Sequence, residues 1–89
     1  MRVLRIKTRT VEKSAVLWDG SNISDLVQFV GNSLDIHKIK GGDFQLDIHT
    51  LESKMSVSKG DYVLRGLAGE FYPVKEEIFN KSYEIIEEE

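Results

Sequence analysis

The chain has 89 residues, 40% of them apolar and 30% charged, with a net charge of −3. That is the size of one small domain with a single modest core, too short for two catalytic domains. It holds no cysteine, which excludes disulfides, Cys-ligated zinc, iron–sulfur clusters and thiol catalysis. No apolar run approaches the roughly 20 residues of a membrane span. Residues 1–7 carry charges throughout, without the apolar stretch of a signal peptide. A cytoplasmic protein with no membrane association is expected.

Charge is unevenly placed. Arg2, Arg5, Lys7, Arg9 and Lys13 meet only Glu12 at the start, and Glu76, Glu77, Glu84, Glu87, Glu88 and Glu89 meet only Lys81 at the end. A basic head and an acidic tail attract each other, within one chain or between two copies. The acidic total argues against nucleic acid as the partner, because phosphate binding needs a concentrated basic surface.

No Pro-rich or Gly/Ser-rich linker interrupts the sequence, so residues 1–89 read as one domain. A first strand is expected over 11–18. Apolar residues at both parities near its end indicate burial on two sides, with Trp18 in the core. A helix follows over about 22–30. Ile23, Leu26, Val27 and Val30 form its apolar stripe, Ser21 or Asn22 its cap and Gly31 its C-terminal stop.

The remainder reads as hairpins. Leu34 and Ile36 alternate with Asp35 and His37, and Phe44, Leu46 and Ile48 alternate with Gln45, Asp47 and His49. A three-residue loop at Lys40-Gly41-Gly42 sets Ile36 opposite Leu46 and Leu34 opposite Ile48, so apolar side chains share one face. A turn at Glu52-Ser53 is expected to set Thr50 opposite Met55 and Ile48 opposite Val57. Gly60-Asp61 turns the chain into the next strand. A turn at Gly66-Leu67-Ala68-Gly69 would then pair Leu64 with Phe71 and Arg65 with Glu70. Pro73 marks an edge or a strand end. A short helical turn over 76–80 and a last strand over 82–86 complete the chain. The fold class is α+β: a mostly antiparallel sheet of short strands and hairpins with one amphipathic helix packed on one face.

One constellation invites a chemical reading. Leu34-Asp35-Ile36-His37 recurs as Leu46-Asp47-Ile48-His49. In the three-residue register Asp35 lies opposite Asp47, with His37 and His49 on the diagonals. Two carboxylates and two imidazoles on one face form a ligand set suited to a divalent metal. The plainer alternative is the solvated face of a half-exposed hairpin. No hydroxyl beside either histidine carries a nucleophile signature, so no catalytic residue and no cofactor are assigned. The Gly66–Gly69 spelling matches the GxxG loop of KH domains, but its flanks read as strands.

The segment Gly60-Asp61-Tyr62-Val63-Leu64-Arg65-Gly66, with Gly69-Glu70-Phe71-Tyr72-Pro73-Val74-Lys75, Ile78-Phe79 and Tyr83-Glu84, resembles a family of small phage and prophage proteins. Members of that family end in a GDYI-x-x-G-x-x-GE-F/L-YP-x-K-P-x-IF-x-x-TYE pattern. Ala15-Val16-Leu17-Trp18-Asp19-Gly20-Ser21-Asn22 resembles their opening. Glu76 stands where proline is common, and Ser82 replaces threonine. The resemblance implies a phage or prophage gene and a protein of the bacterial cytoplasm. It transfers no enzymatic activity and does not extend to the Asp/His repeat. Among its shared positions Glu70, Tyr72 and Lys75 are those a bare fold would not demand, and these are the expected binding residues. The expected function is a non-enzymatic phage accessory protein that binds a host component, inhibiting a host protein or defence system. The alternative is an oligomer that sequesters a small-molecule nucleotide signal, and a metal-dependent enzyme ranks behind both. A homo-oligomer is expected under each.

Overall fold

A computed structural model describes residues 1–5 and 11–88. Lys7 and Arg9 of the basic head, and Glu89 of the tail, lie outside the described residues. Two three-stranded antiparallel sheets and two helices make up the α+β fold. The first sheet has the order β1–β5–β6, from Ser14–Leu17, Tyr62–Arg65 and Phe71–Val74. The second has the order β2–β3–β4, from Leu34–Lys38, Phe44–His49 and Lys54–Val57. Helix α1 spans Ile23–Val30, leads through a 3-10 turn at Gly31–Ser33 into β2, and helix α2 spans Glu76–Ser82.

The strand buried on two sides is β5, not β1. In β5 the consecutive residues Val63 and Leu64 are both buried. Successive side chains on a strand point to opposite faces, so each needs its own cover. Val63 joins the main core with Trp18, Leu26, Val30, Leu46, Ile48 and Val57, contributed by α1 and the second sheet. Leu64 faces the other way. There α2 brings buried Phe79, whose ring stacks on Tyr62 with centroids 3.8 Å apart. Strand β1 is an outer strand, exposed except for Val16 and the adjoining Trp18. The chain over 83–88 follows α2 without forming a strand, and α2 runs two residues beyond the short turn expected.

Helix α1 departs from expectation in two respects. On α1 the inward positions are Ile23, Leu26, Phe29 and Val30, while Val27 is exposed. Phe29 turns inward because Phe71 meets its ring edge-on, with centroids 5.4 Å apart. Asn22 does not cap α1 with its side chain. Its Nδ2 donates instead to the Leu17 carbonyl (2.7 Å), and its Oδ1 accepts from the Asp19 N–H (2.9 Å), clasping the link from β1 to α1. Within that link the Asp19 carboxyl accepts the Ser21 N–H and hydroxyl, and these bonds hold it below its ordinary range.

The register of β2 on β3 is as the apolar alternation requires, with Leu34 opposite Ile48 and Ile36 opposite Leu46. The β3–β4 pairing differs from expectation by two residues: Ile48 faces Met55 and Leu46 faces Val57. The reason is Thr50. Its Oγ1 accepts the N–H groups of Glu52 and Ser53, and its own N–H donates to Ser53 O. The turn is therefore centred on Leu51-Glu52. The β5–β6 pairing differs by one residue, with Arg65 opposite Phe71 and Leu64 opposite Tyr72. Gly66 N–H donates to Glu70 O, Gly69 N–H donates to Gly66 O, and Gly69 has φ +83°. This is a three-residue loop whose last position is left-handed, the setting that favours glycine. The one-residue change puts Phe71 in the main core and Leu64 under α2.

Asp61 joins these parts. It is 3% exposed. Its Oδ2 accepts the Ser58 N–H at 2.9 Å, and Lys75 Nζ donates to both carboxylate oxygens at 3.1 Å. Its backbone oxygen accepts the Trp18 N–H, tying the end of β1 to the start of β5. Removing the carboxylate strands the Ser58 N–H. Asp61→Ala should therefore cost about 1–3 kcal/mol. Lys75→Met leaves the carboxylate its Ser58 N–H bond and should cost less than Asp61→Ala. Urea titration of both variants checks this asymmetry, and equal losses would contradict it.

Candidate functional site

The Asp/His repeat lies on the outer, solvated face of the second sheet, with Asp35 opposite Asp47. The four side chains resolve into two separate cross-strand pairs. His49 Nδ1 lies 3.0 Å from Asp35 Oδ2, and His37 Nε2 lies 3.4 Å from Asp47 Oδ2. Lys54 Nζ stands 3.8 Å from the same Asp35 oxygen, and Gln45 Nε2 donates to Asp47 Oδ1. Among the described residues no three carboxylates or imidazoles are disposed to hold one metal ion. A cation at Asp35 would also meet the Lys54 ammonium. The arrangement is two diagonal histidine–aspartate contacts across a hairpin that sets two carboxylates opposite each other.

Glu70, Tyr72 and Lys75 are not brought together. Glu70 closes its own loop: Oε2 accepts the Ala68 N–H at 3.0 Å, and the carboxylate lies over Gly66, where a Cβ would displace it. Tyr72 lies on the α2 side of the first sheet, where its hydroxyl oxygen accepts from Lys13 Nζ at 3.0 Å. The same ammonium sits 5.7 Å from the Tyr72 ring centroid and 5.8 Å from that of Tyr83. Lys75 is taken up by Asp61. Each of the three polar side chains thus has an internal partner.

The site that sequence reading missed lies between turns. The β3–β4 turn and the β5–β6 loop end side by side, enclosing an open groove of about 380 Å³. Half-buried Phe71 supplies apolar surface over buried Ile48, and Ser33, His49, Thr50 and Glu70 give the polar lining. Leu51 on one turn lines it and is fully exposed; Leu67, on the other, is also exposed. Turn tips far apart in sequence form this groove, so no local motif announces it. The signal that was present is two leucines at turn positions, where polar residues are usual. Two of the singled-out residues, His49 and Glu70, do meet here. A second hollow, of about 420 Å³, is bounded by Lys59, Asp61, Lys75, Glu76 and Glu77. Its charges are mixed, and Lys75 is already paired.

Comparison of the chain with family models, with curated proteins and with solved structures gave no match. No helix among the described residues is long and apolar enough to cross a membrane.

The contact of Lys13 with Tyr72 is open to a direct test. The hydrogen bond to the Tyr72 hydroxyl, more than any other contact, holds the Lys13 amine above its ordinary range. A raised lysine stabilises the fold below its unfolded value, near 10.4, and loses that contribution as pH rises through the folded value. Tyr72→Phe should return Lys13 towards the ordinary value, read from its side-chain carbon shifts during an NMR titration. An unchanged Lys13 titration would show that the contact is not kept in solution.

Proposed function

We propose that this chain is a non-enzymatic binding protein of the phage and prophage accessory kind that its C-terminal pattern resembles. It acts in the bacterial cytoplasm by holding a segment of a host protein. The observation that carries this reading is the groove between the two turns. It offers apolar surface from half-buried Phe71 over a floor at Ile48, a mouth marked by exposed Leu51, and the Glu70 carboxylate beside it. The matching ligand is an apolar side chain followed by a basic residue.

The committed polar groups support binding over catalysis. His49 leans on Asp35, Thr50 organises its own turn, and Glu70 closes its own loop. None forms the nucleophile-and-base pair that covalent or acid–base chemistry needs. Sequestration of an anionic nucleotide is the weaker reading, because among the described residues no lysine or arginine lines the groove.

Native mass spectrometry of tagged protein drawn gently from bacterial lysate tests the proposal. The expected species is a complex with one host chain, lost when Leu51→Glu and Leu67→Glu are introduced together while the circular dichroism stays native. Capture indifferent to both substitutions would remove the groove from the account. A homo-oligomer carrying a few hundred extra daltons would replace host-protein binding with small-molecule sequestration.

A further inference from the structure

Two sheets of three strands leave four edges, and the edges differ in how they are protected. An open edge presents unpaired backbone groups that template pairing with another chain. Strand β6 carries Pro73 opposite Val63. The Gly66 N–H to Glu70 O bond makes that loop-closing pair hydrogen-bonded. Bonded and non-bonded pairs then alternate, so Pro73 faces outward and removes the donor from that edge. Strands β1 and β4 have four residues each, with Lys13 just before the first and Lys54 starting the second. Strand β2 is the longest of the four, with five residues and no proline.

The same alternation fixes which groups of β2 look outward. Ile39 N–H donates to Asp43 O at 2.9 Å, so 39 and 43 form a bonded pair. Counting back along the register, 37 with 45 and 35 with 47 are bonded, while 34, 36 and 38 turn their N–H and C=O groups away from β3. Among the described residues the N–H and C=O groups of 36 and 38 and the C=O of 34 have no hydrogen-bond partner, while the Leu34 N–H donates to Gly31 O. On the core-facing side of the same hairpin, Ile36 is 41% exposed and Phe44 39% exposed.

We infer that β2 pairs antiparallel with β2 of a second copy about a two-fold axis at Ile36, joining two second sheets into one of six strands. The residues select this register over its neighbours. A two-fold pair must keep apolar faces together, so its centre falls on a residue rather than between residues. Centred on Asp35, the pairing sets two carboxylates face to face. Centred on His37, it sets imidazole on imidazole and Ile36 on Lys38. Centred on Ile36, it sets Ile36 on Ile36, Leu34 against the aliphatic stem of Lys38, and Asp35 opposite His37 on both sides of the axis. The outward groups of 36 and 38 and the outward C=O of 34 then find partners. The occupant is a second copy because the edge complements itself in hydrogen bonds and sets a carboxylate opposite an imidazole on each side of the axis. None of the paired residues lines the groove, so this inference stands apart from the proposed function.

The test uses the full chain. Sedimentation at tens of micromolar should give twice the chain mass. Ile36→Pro, which deletes only an outward N–H in the way Pro73 does on β6, should give the monomer mass with a native circular dichroism spectrum. Because the chain has no cysteine, a single Ile36→Cys variant provides an independent reading. Bonded antiparallel partners have Cα atoms about 5.5 Å apart, within reach of a disulfide. Under mild oxidation Ile36→Cys should form a covalent dimer and Lys38→Cys should not. A monomer mass for the unmodified chain would overturn the inference. So would a dimer in which Lys38→Cys links as readily as Ile36→Cys.

Discussion

Strand β5 imposes the constraint on which the rest of the molecule depends. Its neighbours Val63 and Leu64 are both buried, and the pleat sends them in opposite directions. A three-stranded sheet with one wet face cannot satisfy both. The chain meets the demand with different materials on the two sides. Helix α1 and the second sheet cover Val63, and the short helix α2 lies on the Leu64 side, where Phe79 stacks on Tyr62. Each cover is small, so neither is stable alone. The layers therefore stand or fall together around β5.

The same constraint takes up residues of the C-terminal segment, which builds β5, the loop, β6 and α2. Asp61 receives the Ser58 N–H and Lys75, Gly69 provides the left-handed turn position, Glu70 closes the loop, and Tyr62 stacks on Phe79. Polar residues that stand out in sequence are thus consumed by the scaffold. The surface left for recognition is formed where turns meet, as is common when a rigid scaffold carries its binding residues on loops.

What was legible in the sequence follows the same physics. The β2–β3 register was readable because a one-residue slip would move Leu34, Ile36, Leu46 and Ile48 to the wet face. The β3–β4 register was not, because a two-residue slip keeps every side chain on its face, and only the hydrogen bonds of Thr50 decide between the two. The β5–β6 loop was miscounted because Gly66 looks like part of the turn while its N–H already belongs to the ladder. Burial of β1 on both sides was read from Val16, Leu17 and Trp18, yet the same apolar doubling in Val63 and Leu64 is the one that the layers cover. The groove had no local signature, since Leu51 and Phe71 meet only through the packing of two sheets.

Amide hydrogen exchange followed residue by residue in the NMR spectrum tests the central place of β5 most directly. The account predicts that the amides of Val63 and Leu64 exchange slowest in the chain and report global unfolding. It also predicts that α2 and the second sheet lose protection in the same transition as β5. Contradiction would come from β5 amides that exchange as fast as those of β1, or from a second sheet that stays protected after β5 has opened.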